Sequence, residues 1–200
     1  MDKQLEQYGF NLVDKLVSEG LTKASPGSGM YLLYGRRPSP QSINIKFGRA
    51  FEKWFEYAVM RGNNNFEIMP SGVWKEISKD LDLIFRDDEQ KIIHYRELKL
   101  NFNLDTEKIV STYEKIVFIR DFLRTKYPDY HIDAAALTWG TYDQRDMTAQ
   151  SKIIKGAQYD VTVEDPNSFF KLIGAHMTKK AYNSYFRNVG NKLEQIINEH

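Results

Sequence analysis

Apolar residues recur at helical spacing from the start of the chain. Leu5, Tyr8, Leu12 and Leu16 share a stripe and Gly20 closes it, predicting a helix over residues 2–19. The Ser, Pro and Gly of TKASPGSG (22–29) predict a loop, and MYLLYGRRPSPQS adds a short apolar piece and a Pro-punctuated basic loop. A second helix is predicted over 43–62, where Phe47, Phe51, Trp54, Phe55 and Ala58 align and Gly62 stops it. After the turn NNN (63–65) the period changes from helical to alternating. FEIMPSGVWKE reads as an edge strand interrupted at Pro70–Gly72. Residues 81–86 and 91–100 read as a hairpin turning at DDEQ. Asp105 is placed to cap a long helix, TEKIVSTYEKIVFIRDFLRTKY, with Ile109, Tyr113, Ile116 and Ile119 as its stripe and Pro128 beyond its end. HIDAAALTWG (131–140) reads as a buried strand, and the polar segment 141–158 is long for a plain connection. YDVTVED predicts a short strand, a helix starts at Pro166, and AYNSYFRNVGNKLEQIINEH predicts a terminal helix.

Helix, helix, three strands, helix, strand, loop, strand, helix, helix contains no repeat and no linker. It predicts one α/β domain of 200 residues, a central mixed β-sheet flanked by helices. Within it, 1–62 is expected as a helical N-terminal part, 66–139 as the catalytic core, and 141–200 as a recognition and C-terminal helical part. A helix joining residue 100 to the strand at 131 makes those two strands parallel neighbours by the right-handed crossover rule.

The hairpin carries charge where it is most strand-like. Alternation puts Glu97 and Lys99 on one face with Tyr95 and Ile93, and His94, Leu98 and Leu100 on the other. In the first strand Asp80, Asp82 and Ile84 point one way, Leu81, Leu83 and Phe85 the other. A turn near Asp88 then brings an aspartate of strand one close to Glu97 and Lys99. Two neighbouring carboxylates repel each other, but become favourable around a divalent cation of the Mg²⁺ type. An ammonium beside such a pair can orient water near the metal. The tripeptide itself carries little, since acid-x-Lys recurs at Glu89-Gln-Lys91. The setting carries more: Glu97-Leu-Lys99 lies in an apolar strand followed by a helix, acids precede it at Asp80 and Asp82, and an upstream helix holds Glu52.

Composition and charge narrow the classes. The chain is 42% apolar and 28% charged, ordinary for a soluble globular protein. No apolar run approaches the roughly 18 residues of a membrane span, and the charged start predicts no secretory signal. With no cysteine there are no disulfides, thiolate metal sites or thiol nucleophiles. The four histidines are scattered without a ligand spacing. The net charge of +1 hides a pattern: residues 20–51 contain five cations and no acid, residues 166–193 likewise, and six acids crowd residues 76–89. Basic flanks around an acidic centre suit a nucleic-acid enzyme with a metal site, and also suit unrelated solvated faces.

Asp82 or Asp80, then Glu97-x-Lys99, with Glu52 upstream, resembles the PD-(D/E)XK nuclease superfamily and its type II restriction endonucleases in particular. The likeness extends through QSINIKFGRAFE, KDLDLIF and YRELKLNFNLDTEK, about a third of the chain from Gln41 to Lys108. It departs from the pattern in having no proline before the first aspartate. Asp82 is the preferred equivalent because Leu83-Ile84-Phe85 follows it directly, and Asp80 stays open. The resemblance implies a restriction-endonuclease-like core in which Asp82, Glu97 and the Leu98 carbonyl bind Mg²⁺, Lys99 activates water and Glu52 serves a second metal. It further implies 5′-phosphate products, a homodimer cutting a short palindromic site in double-stranded DNA, and a prokaryotic cytoplasm.

Base and phosphate contacts are expected from Arg36 and Arg37, and from Gln144, Arg145, Gln150, Lys152 and Lys155 in the long polar segment. Lys179, Lys180, Tyr182 and Arg187 face the same choice between backbone contact and a solvated helix. Phe51, Trp54 and Phe55 are expected in the core and His94 in a structural role. Two competing readings stand beside the restriction enzyme: a structure-specific resolvase or repair nuclease on the same fold, and a non-catalytic DNA-binding module in which the hairpin charges form a surface ion pair.

Overall fold

The computed structural model describes residues 3–19, 40–62, 65–100, 106–143 and 158–198. Their elements run α1 (Lys3–Ser18), α2 (Pro40–Gly62), β1 (Phe66–Ile68), β2 (Gly72–Trp74), β3 (Lys79–Leu81), β4 (Leu83–Asp87), β5 (Ile92–Lys99), α3 (Thr106–Lys126), β6 (His131–Thr138), β7 (Thr162–Glu164), α4 (Pro166–Leu172) and α5 (Lys179–Asn198). The architecture is α/β, with a five-stranded mixed sheet and helices. The chain divides into two compact units, Met1–Tyr57 with Lys180–His200, and Ala58–Lys179. No helix of the described residues is long and apolar enough to cross a membrane.

The helical unit buries Leu5, Val13, Phe51, Trp54, Phe55, Tyr182, Tyr185 and Val189. Trp54 stacks on Tyr185 at 5.2 Å between ring centroids and donates its indole N–H to the Leu5 carbonyl at 3.2 Å. The expected aromatic stripe of α2 is thus core. In α1 the buried line is Leu5, Gly9 and Val13, with Tyr8, Leu12 and Leu16 half-buried. The shift has a cause at Gly9, where an added Cβ would overlap the Tyr185 hydroxyl; a glycine lets that ring lie against the helix.

In the α/β unit the strand order is β1-β4-β5-β6-β7. β1, β4 and β5 are antiparallel; β5, β6 and β7 are parallel, as the crossover through α3 requires. The β4–β5 turn is held by Asp87, whose Oδ1 accepts the backbone N–H groups of Glu89 and Gln90, and it closes on Lys91 in the left-handed region at φ 55°. α3 covers one face of the sheet, packing Ile109, Tyr113, Ile116, Ile119 and Leu123 with Leu81, Ile84, Ile93, Tyr95 and Ile132. The other face carries Phe66, Phe85 and His94, with Phe169 of α4 edge-on to Phe85 at 6.5 Å. α4 begins as its sequence dictates: Pro166 opens it, and Asp165 caps it through the Ser168 N–H at 2.7 Å.

One expectation fails informatively. The first hairpin strand, predicted as continuous over 81–86, is two strands broken at Asp82. β3 pairs instead with β2 in a separate two-stranded sheet, so the edge strand predicted over FEIMPSGVWKE is likewise two strands in two sheets. A continuous strand would put Leu81 and Ile84 on opposite faces, yet both join the core beneath α3. The break has a physical reason: the Asp82 carboxylate turns toward β5 and accepts the Leu98 N–H at 2.8 Å, filling a place in the ladder that backbone would otherwise take.

Candidate active site

β5 is the pivot of the site. Its alternation sends Tyr95, Glu97 and Lys99 toward α3, while Leu98 turns its N–H sideways to Asp82. Along a strand the N–H and C=O of one residue point the same way. Lys99 gives its carbonyl to Trp139 of the neighbouring chain segment at 2.9 Å, so the Leu98 carbonyl is directed to the opposite side, where Asp82 lies. The Asp82 and Glu97 carboxylates therefore converge at the end of the β4–β5 pair, with the Leu98 carbonyl on the Asp82 side of its strand.

Two ammonium groups stand between those carboxylates. Lys99 Nζ lies 2.6 Å from Glu97 Oε1 and 3.9 Å from Asp82 Oδ2. Lys115, from α3, lies 2.6 Å from Glu97 Oε2 and 3.8 Å from Asp82 Oδ1. The Tyr95 hydroxyl donates to Glu97 Oε2 as well, at 2.5 Å. Glu97 is only 2% exposed and thus fully engaged. Burial pushes its carboxyl up, but Lys99 and Lys115 outweigh burial and hold it below the ordinary value. Asp82 goes the other way: burial and the Glu97 charge push it up to about 6, against a weaker pull from the two lysines and the Leu98 N–H. The Tyr95 hydroxyl is pushed well above its ordinary range by burial and by the Glu97 charge.

Glu97 opens into a cleft of about 770 Å³ whose wall also includes Lys79, Lys99, Lys108, Ser111, Thr112, Glu114 and Lys115. Phe118 lines it too and is 47% exposed, with Lys79 Nζ 5.8 Å from its ring centre. Among the described residues no group of three or more His, Asp or Glu side chains is gathered that could hold a metal ion. Two carboxylates with a carbonyl nonetheless fit Mg²⁺, which retains water or phosphate oxygens in its remaining positions. The carboxylates already hold positive charge between them, so the donor chemistry suits a cation.

Of the residues expected at the site, Asp82, Glu97, Leu98 and Lys99 come together. Asp80 pairs with Val73 in the small sheet and is exposed. Glu52 lies on α2, half-buried in the helical unit. Arg36, Arg37, Gln144, Arg145, Gln150, Lys152 and Lys155 lie outside the described residues. Lys179, Lys180 and Arg187 are exposed, whereas Tyr182 is buried core. Lys115 is the residue that the sequence pattern passed over. Lys108, Ser111, Thr112 and Lys115 form a polar line beside the apolar stripe of α3, a spacing that by itself is equally that of a solvated face.

A second charged cluster occupies the other side of the sheet. Arg96, 2% exposed, donates to Glu164 Oε2 at 2.6 Å, to Asp133 Oδ2 at 2.7 Å, and to the Tyr95 and Asp133 carbonyls. His94 shares Asp133 Oδ2 at 2.8 Å and stacks on Phe85. Burial pushes Asp133 up, but the His94 hydrogen bond and Arg96 outweigh it and hold it well below the carboxylate range. Burial wins at Glu164, which is raised despite Arg96. This closed network gives His94 the structural role expected of it. No protein-family model matches the chain, and no curated protein is significantly similar to it in sequence.

Proposed function

We propose that the chain is a Mg²⁺-dependent, sequence-specific endonuclease of the restriction type, hydrolysing double-stranded DNA to leave 5′ phosphates. The observation that carries this reading is the convergence of Asp82, at the β3–β4 break, with Glu97 of β5, Lys99 against both, beside a cleft with four lysines in its wall. Held by Asp82, Glu97 and the Leu98 carbonyl, Mg²⁺ would supply Lewis-acid stabilisation of phosphate charge and a lowered water pKa.

The protein's own groups do the rest. Glu97 fixes the Lys99 ammonium on a short tether, two residues along one strand, so its charge faces the cleft with little freedom to wander. From there Lys99 donates to the attacking water oxygen and favours loss of its proton, while the P–O3′ bond opposite the attack breaks. Tyr95 and the Leu98 N–H lock the two carboxylates in place, so the site is set before substrate enters. Lys79, Lys108 and Ser111 offer cationic and hydroxyl donors for the flanking backbone phosphates. Cutting both strands at a palindrome requires two such sites, and hence a homodimer.

The test is incubation with plasmid DNA and Mg²⁺, alongside Lys99→Ala and Glu97→Ala. Discrete fragments from the wild type and none from either variant support the reading. A smear, or cutting confined to branched substrates, would favour a structure-specific nuclease, and binding without cleavage a non-catalytic module.

A further inference from the structure

Four charged groups meet at the site: Asp82, Glu97, Lys99 and Lys115. With both carboxylates ionised, their charges cancel. Each ammonium touches Glu97 at 2.6 Å and reaches toward Asp82 at 3.8–3.9 Å, so both lysines use the oxygens that a divalent cation would use. They are not equivalent. Lys99 is tethered on the strand that carries Glu97, whereas Lys115 reaches down from α3 and its side chain is 21% exposed to the cleft. The cleft wall around Lys115 is mainly cationic: Lys108 lies two turns before it and Ser111 one turn before it, Lys79 and Lys99 add to the charge, and Glu114 is the one added acid beside Glu97. Its ammonium offsets the buried Glu97 charge, a task that Lys99 shares. Its apolar neighbours on the helix, Tyr113 and Ile116, are the ones packed under the sheet.

We propose that Lys115 is a working residue of this site with two successive partners. Its ammonium contends with the divalent cation for Glu97 and Asp82, which weakens metal binding when the cleft holds no substrate. Moved off Glu97, the same ammonium binds a non-bridging oxygen of the DNA phosphodiester, which arrives as the compensating anion. The charges make this order favourable. A divalent cation raises the neutral cluster to +2, and a phosphodiester with a hydroxide returns it to zero. The protein thereby couples metal retention to substrate: the cation is held tightly only when a phosphate is present to occupy Lys115. The inference rests on the metal-dependent nuclease reading.

The test measures Mn²⁺ binding by titration calorimetry, without DNA, for the wild type, Lys115→Met and Lys115→Arg. It adds plasmid cleavage at saturating Mn²⁺. Lys115→Met is expected to bind Mn²⁺ roughly 3–10-fold more tightly and yet to cleave at least tenfold more slowly, because one competitor and one phosphate ligand are lost together. Lys115→Arg, which can bind Glu97 through two N–H groups, is expected to weaken Mn²⁺ binding. Opposite signs for affinity and rate distinguish this role from a structural one, which would lower both. Lys115→Met binding Mn²⁺ no more tightly than the wild type, in folded protein, overturns the inference. Should Lys115→Met not fold, Lys115→Arg binding Mn²⁺ as well as the wild type overturns it. If neither the wild type nor Lys115→Met binds Mn²⁺, it is the nuclease reading that falls.

Discussion

Asp82 should make the protein less stable than it need be. Burial and the Glu97 charge push its carboxyl from 3.8 to about 6. At about 1.4 kcal/mol per tenfold, that makes the charged form roughly 3 kcal/mol less favourable in the folded chain than in the unfolded one. The side chain is 12% exposed, so water offers little relief. The sign follows from the raised carboxyl. Below pH 3.8 both states are protonated and the penalty is absent; it grows as pH rises through that interval and is complete above about 6. Asn approximates the neutral form and keeps an oxygen for the Leu98 N–H. Asp82→Asn should therefore stabilise the fold at pH 8 by up to about 3 kcal/mol, roughly 6–12 °C in Tm for a chain of this size, while abolishing cleavage. Thermal melting by circular dichroism in EDTA, at pH 8 and at pH 4, checks it. EDTA matters because bound metal would stabilise only the wild type. A variant no more stable than the wild type at pH 8, or a gain that persists undiminished at pH 4, refutes the reasoning.

Two further outcomes follow from other parts of the fold. Arg96→Met strands Glu164 and Asp133 without their cation and should cost about 3 kcal/mol, read as a loss of roughly 10 °C in Tm; adding Glu164→Gln should recover part of it. In Gly140→Ala a Cβ would come within 2.3 Å of the Leu100 carbonyl, the residue that follows Lys99, so the strand end must move. That variant should lose about 1–3 kcal/mol in denaturant unfolding, and its cleavage rate, measured where it is fully folded, should fall at least tenfold because Lys99 moves with the backbone.

How far the site could be read from the residues depends on how local each contact is. Glu97, Lys99 and Tyr95 sit on one strand, and simple alternation put them on one face, which is where they are. The parallel pairing of β5 with β6 followed from a helix of fixed handedness between them. The bend at Asp82 was not readable. KDLDLIF alternates well enough to pass for one strand, and only the partner N–H of Leu98, sixteen residues on, makes the break favourable. Lys115 was hidden for a related reason. A helical pattern reports which residues are core, and a lysine beside the apolar stripe looks like any solvated one until the sheet beneath is known. The Arg96 cluster joins three strands, so no local pattern could reveal it.

The two charged clusters around β5 differ in how their cations are held. On one side, a guanidinium spends its rigid fork on two carboxylates and two carbonyls, and His94 takes a remaining lone pair of Asp133. Both carboxylates meet the guanidinium at 2.6–2.7 Å, and the pairing of β5, β6 and β7 fixes the geometry. On the other side the cations are lysines on flexible stems, each making one short contact and one long one. Asp82 is left raised because those long contacts do not compensate its burial. An arginine there would have closed the pair with a better fit and a more stable hairpin. Lysines leave Asp82 with its charge incompletely compensated, beside a cleft lined by Glu97 and four lysines. On the nuclease reading that incomplete compensation is what would draw a cation, so Asp82→Asn should remove cation binding together with the instability.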